Sequence, residues 1–157
     1  MAKSKRAEEN NSVAETALTE ESKTTTKLSG LLQQGLITLA FWMTFGLLLE
    51  GFLGYKIPAY LNDDIRRELF RLAHTHGALF SIVLIVIALC TKADFIKPNS
   101  YAQNALRIGS VMMPTGFLLG GVWHFESDPG YAIILAPVGG ILVIFGIVSS
   151  VLSLKKN

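Results

Sequence analysis

The chain has 157 residues, half of them apolar, with 14 basic against 12 acidic side chains. A single cysteine, Cys90, excludes an internal disulfide and reads as a small buried apolar residue. No Walker-type phosphate loop, dinucleotide fingerprint, Cys-x-x-Cys pair or His-Glu-x-x-His motif is present, and the charge pattern gives no sign of a nucleic-acid partner.

Residues 1–28 are polar, with mixed charge and no aromatic side chain up to Lys27. Such a segment cannot bury enough apolar surface to order itself, so it is expected to be a disordered tail. It does not read as a cleaved leader, because the first apolar run starts late and is long; that run is expected to act as an uncleaved signal anchor. Residues 29–157 then form one transmembrane domain.

Four apolar stretches follow: Leu31 to Gly54, Leu69 to Cys90, Ala105 to Trp123 and Ala132 to Leu154. Each can cross a hydrocarbon core of roughly 30 Å at about 1.5 Å per residue. They are apolar on all faces rather than on one stripe, which separates them from the helices of a soluble bundle. The expected fold class is all-α, an integral membrane up-and-down four-helix bundle with the lipid bilayer as its solvent.

In the first stretch Gly46, Glu50 and Gly54 recur every fourth residue, a spacing that puts Glu50 in a helix contact. Tyr55 and Tyr60 suit an interfacial belt, and Asp63 or Asp64 can cap the next helix. The second helix is expected from about Ile65 to Thr91. The third runs from about Ala102 to His124, with Pro114 expected to kink it. Gly109, Met113, Gly116, Gly120 and His124 fall on one stripe of it. Pro129 suits the first turn of the fourth helix, where Gly139, Gly146 and Ser153 repeat at sevens as a packing seam would.

Short connections make consecutive spans antiparallel. Ten basic residues then lie on the side of the two termini, among them Lys92, Lys97 and Arg107, and four on the other: Lys56, Arg66, Arg67 and Arg71. The positive-inside rule predicts cytoplasmic N- and C-termini in the cell membrane.

The stretch Arg66-Arg67-Glu68-Leu69-Phe70-Arg71-Leu72-Ala73-His74-Thr75-His76-Gly77 opens the second span. Charges and imidazoles are costly near hydrocarbon and need partners, water or a bound species. Glu50, His74, His76 and His124, with Glu126 and Asp128 beside the last, all lie toward the outer side. Glu50, His76 and His124 come from three helices and are the expected metal ligands. His74 and His76 stand roughly 200° apart around a helix, so only one can face a small site, and His76, deeper and followed by Gly77, is expected inward. Glu50 has the alternative of a structural ion pair with Arg67 or Arg71.

His76 and His124, with His74 as the lesser candidate, can also hold a cofactor. Imidazole with carboxylate suits zinc, copper or non-haem iron, and two histidines on facing helices suit haem. The His74-Thr75-His76-Gly77 stretch resembles the histidine-bearing helices of haem–copper oxidases over these few residues, and no role is carried over from it. The expected function is metal or haem binding near the outer face, in electron transfer or a redox step. The alternatives are a non-catalytic accessory subunit of a larger, respiratory-type membrane complex, or a quinone-interacting protein. Other membrane subunits or a homo-oligomer are the partners these readings imply.

Overall fold

A computed structural model describes residues 30–125 and 128–154; the polar tail, Glu126 and the C-terminal Lys155 and Lys156 lie outside the described residues. The described residues form helices joined by short turns, with isolated bridges but no strand. The elements are α1 (Gly30–Gly54), a one-turn α2 (Pro58–Leu61), α3 (Asp64–Lys92), α4 (Ser100–Val122), a 3-10 turn (Tyr131–Ile134) and α5 (Leu135–Leu152). Taken with its leading 3-10 turn, the last helix spans 22 residues, and all four long helices have the length and composition to cross a membrane.

Local chemistry explains most of the boundaries. Asp63, not Asp64, caps α3, accepting the Arg66 N–H at 2.9 Å, and Asn99 caps α4 through the Ala102 N–H at 2.8 Å. Two helices end in the same way. Lys56 and Asp94 take left-handed φ values of 52° and 62°, and the next N–H reaches back five residues, Ile57 to Phe52 and Phe95 to Cys90. The α4 helix continues through buried Pro114 without a break.

The third and fourth spans differ from their expected bounds. The α4 helix stops at Val122, because Trp123 takes an extended ψ of 77° and the Gly130 N–H bonds back to the Gly120 carbonyl at 3.0 Å. His124 is thereby released from the helix. Pro129 lies in the turn before the 3-10 segment and not in the first turn of α5.

The long helices touch in sequence, α1 with α3, α3 with α4 and α4 with α5. Along α1 and α3, Gly35 lies against Ser81 and Ile85, Trp42 against Gly77, and Gly46 against His74. Between them the Ser81 hydroxyl is shared between Thr38 Oγ1 at 2.8 Å and the Gly77 carbonyl at 2.7 Å. An interhelical hydroxyl pair of this kind holds helices together where burial of apolar surface gives no driving force. On α4 and α5, Gly109 meets Gly139, Gly116 meets Ala136 and Gly146 meets Leu106. The two glycine stripes read from the sequence are thus the two sides of one seam. Leu31, Leu84, Ala88 and Leu106 form a buried cluster where α1, α3 and α4 meet.

Candidate functional site

The three histidines occupy three separate environments. His124, off the end of α4, donates its Nε2–H to Asp63 Oδ2 at 2.7 Å, and its side chain is only 10% exposed. Arg66 closes the cluster. Its Nε donates to the Gly121 carbonyl at 3.3 Å and its Nη1 to the Ala59 carbonyl at 3.0 Å, while Nη2 lies 3.5 Å from Asp63 Oδ2 and 3.4 Å from His124 Nε2. The carboxylate can only accept, so at 2.7 Å Nε2 carries the proton, and the approach of Arg66 Nη2 to Nε2 at 3.4 Å is then a contact between two donors and not a hydrogen bond. In the neutral ring the lone pair then belongs to Nδ1, which is buried without a partner among the described residues.

Asp63 therefore has two tasks, capping α3 with one oxygen and holding His124 with the other. Burial alone would push its carboxyl up. The Arg66 backbone N–H and the His124 hydrogen bond outweigh that and hold it below the ordinary carboxylate value.

His74 lies on the α1 side of α3. Its Nδ1 donates to the Trp42 carbonyl at 2.8 Å, and its ring covers Gly46. His76 lies on the α4 side. Its Nδ1 donates to the Leu72 carbonyl one turn back at 2.9 Å, and its ring lies 5.1 Å from Phe117 and 5.9 Å from Phe80, centroid to centroid. The two imidazoles diverge as their spacing requires, but each meets a neighbouring helix.

The structure does not bring Glu50, His76 and His124 together. His124 contacts Asp63, which precedes His76 by thirteen residues, roughly 20 Å along α3 at 1.5 Å per residue. Glu50 is exposed and makes no ion pair among the described residues. The expected Glu50 pair with Arg67 or Arg71 gives way to pairs within α3. Arg67 bonds Asp64 at 2.6 Å and the Leu61 carbonyl at 2.7 Å, and Arg71 lies 3.8 Å from Glu68. The reason is helical phase. The buried side of α1 runs through Leu31, Gly35, Trp42, Gly46 and Leu49, so the contact steps by three after Gly46 and leaves Glu50 outside. Around Gly54, likewise, there is open space.

No group of three metal-ligating side chains occurs among the described residues. What the arrangement offers chemically is narrower. The Nδ1–H of His76 is committed to a backbone carbonyl, so its neutral ring presents Nε2 as a lone pair. A metal-ligating histidine is commonly held by this kind of bond.

Sequence reasoning missed two polar contacts. Asp63 and Arg66 as partners of His124 were legible in principle, since antiparallel spans put the start of the second and the end of the third at one level. The other joins Gln34 to Arg107 at the opposite end: Arg107 Nε donates to Gln34 Oε1 at 2.9 Å, and Gln34 Nε2 donates to the Arg107 carbonyl at 2.8 Å. No family model matches the chain, and neither the curated proteins nor the solved structures compared with it return a match.

Proposed function

We propose that the chain is a multi-pass protein of the cell membrane, an up-and-down four-helix bundle with both termini in the cytoplasm, that binds haem or a transition metal through His76 and serves in electron transfer. Membrane insertion is supported by four long helices whose outward faces are apolar; Leu36, Ile37, Phe41, Leu47 and Leu53 of α1 are all more than half exposed. A reporter fused after Asn157 is expected to be active only in the cytoplasm, as the basic residues near the span ends suggest. Labelling of that terminus from outside intact cells would reverse the orientation.

The single observation that supports the ligand reading is the His76 tautomer. With Nδ1–H bonded to the Leu72 carbonyl, Nε2 is available to a metal, and Phe80 and Phe117 supply flat apolar walls beside it. The same tautomer accepts a hydrogen bond from a quinol hydroxyl but has none to give a quinone oxygen. His124 and His74 are not equivalent candidates, because the free Nδ1 of the first is buried and its ring is tied to Asp63, and the ring of the second is wedged between α1 and α3. His76 would supply one imidazole, and any further ligand would come from outside the cluster of residues around it.

Visible spectroscopy with elemental analysis of the purified protein tests the reading. A haem Soret band, or one equivalent of copper, iron or zinc, is expected in the wild type and in His74→Ala, and is expected to disappear in His76→Ala. A featureless spectrum with no stoichiometric metal would remove the ligand reading. It would leave the non-catalytic subunit of a larger membrane complex, which the structural bonds of all three imidazoles favour.

A further inference from the structure

At the end opposite His124, two grooves meet on one side chain. The larger, ≈ 550 Å³, lies over α4, with Arg107 and Gln34 at one end and Val111, Met112 and Leu135 along it. The smaller, ≈ 300 Å³, lies on the α1 side and shares Arg107 and Gln34. Both volumes are within or at the edge of the roughly 300–1,000 Å³ typical of small-molecule sites.

Arg107 is held in an unusual way. Its Nε and its own carbonyl are both taken by the Gln34 amide, at 2.9 and 2.8 Å. That reciprocal clamp fixes the plane of the guanidinium and leaves Nη1 and Nη2 without a hydrogen-bond or carboxylate partner among the described residues. An Arg fork fixed in this way matches two oxygens of a phosphate.

The level is right for a lipid headgroup. Arg107 starts seven residues into α4, about 10 Å from its beginning at 1.5 Å per residue, but helical side chains lean toward the N-terminus. The guanidinium accordingly reaches the first turn of α1, where a methyl group added at Gly30 would stand 3.8 Å from Nη1. From there the larger groove runs to Leu135, at the level of Gly116, nine residues along α4 and roughly 13 Å away. One fixed cation lies between an apolar groove and a smaller one in which Ile37 and the aliphatic stems of Gln33 and Thr38 flank Gly30, the form of a site for one anionic head and two chains.

We infer that Arg107 and Gln34 form a binding site for an anionic phospholipid, its phosphate on the Arg107 fork and one acyl chain in each groove. The inference rests on the membrane part of the proposed function and is independent of His76. The leaflet follows from the proposed orientation: Arg107 is on the cytoplasmic side, where anionic lipids concentrate.

Native mass spectrometry of the full-length protein in mild detergent, titrated with phosphatidylglycerol, phosphatidylcholine and oleate, tests it. Both headgroups carry an ionised phosphate, but in phosphatidylcholine the choline cation beside it opposes the guanidinium, so phosphatidylglycerol, with its net negative charge, is expected to bind at least about tenfold more tightly. Arg107→Gln should erase the preference and Arg107→Lys should restore only part of it. Val111→Trp fills the larger groove from an exposed position and leaves the clamp intact, so it keeps the site testable should Arg107→Gln not fold; it should weaken the binding of both phospholipids.

Equal binding of the two phospholipids would overturn the site. A preference that survives Arg107→Gln, or oleate competing as well as phosphatidylglycerol, would overturn it too. Extraction of the protein from membranes by alkaline carbonate would defeat the membrane reading itself. Retention in the membrane without lipid preference would defeat the lipid site alone.

Discussion

Leucine at Gly139 is expected to prevent α4 and α5 from assembling, and even alanine there should destabilise the protein by about 1–3 kcal/mol, the usual cost of overpacking a filled core. A Cβ at Gly139 would stand 2.5 Å from the Met113 nitrogen and 3.0 Å from its Cα. These are backbone atoms of the facing helix, so no rotamer change can relieve the contact. Gly109 and Gly116 face the same difficulty, with a Cβ at 2.6 Å from the Gly139 carbonyl oxygen and 2.8 Å from the Ala136 nitrogen respectively. Gly120 is different: its nearest neighbour would be the Ile133 Cβ at 3.4 Å, an ordinary contact. Gly120→Ala should therefore be tolerated, as should Gly51→Ala, which meets nothing within 4 Å. Unfolding by SDS titration in mixed micelles separates the two groups. Equal midpoints for Gly139→Ala and Gly51→Ala would mean that the helices do not interlock as described.

The seam was legible because small residues at intervals of three, four and seven can serve little other purpose on an apolar helix. Apolar length likewise marked the four long helices. The polar contacts were harder for a physical reason. Periodicity gives the phase of a helix only to within a fraction of a turn, and over the 25 residues of α1 a stripe of fours drifts away from the 3.6-residue period. Gly46 still faces α3, whereas Glu50, four residues on, has rotated past it. The same spacing rule that correctly separated His74 from His76 could not say which neighbour each would meet, since that depends on the order in which helices pack.

His124 carries a second lesson. A helix extended to His124 would have kept its ring on the glycine stripe facing α5. Breaking the helix at Trp123 turns the ring toward α3 instead. The signal for that break lies downstream, in Pro129 and Gly130, where the Gly130 N–H satisfies the Gly120 carbonyl that a longer helix would have used. Terminal residues are where sequence patterns carry least information, because caps and turns are decided by hydrogen bonds to groups distant in sequence.

Asp63 is where the cap and the cluster can be told apart. Asparagine caps a helix about as well as aspartate, so a residue that only caps would tolerate Asp63→Asn. Here the variant should cost on the order of 1–3 kcal/mol. The new amide can keep Oδ1 on the Arg66 N–H, but it then turns its N–H₂ toward His124 Nε2. The imidazole must accept there and move its proton to Nδ1, which is buried and has no acceptor among the described residues. Asp63→Ala should lose more, because the cap goes as well, by about 1 kcal/mol. The pH dependence supplies an independent check. Asp63 has its carboxyl held below the ordinary value of about 3.9, so its contribution is fully present above that pH and is lost as the pH falls through the depressed folded value. Thermal midpoints measured in detergent should accordingly fall between neutral pH and pH of about 3 by more in the wild type than in Asp63→Asn, which has no carboxyl to protonate. An Asp63→Asn protein that melts with the wild type at neutral pH, and tracks it into acid, would reduce the cluster to a simple helix cap and leave His124 without a structural reason for its burial.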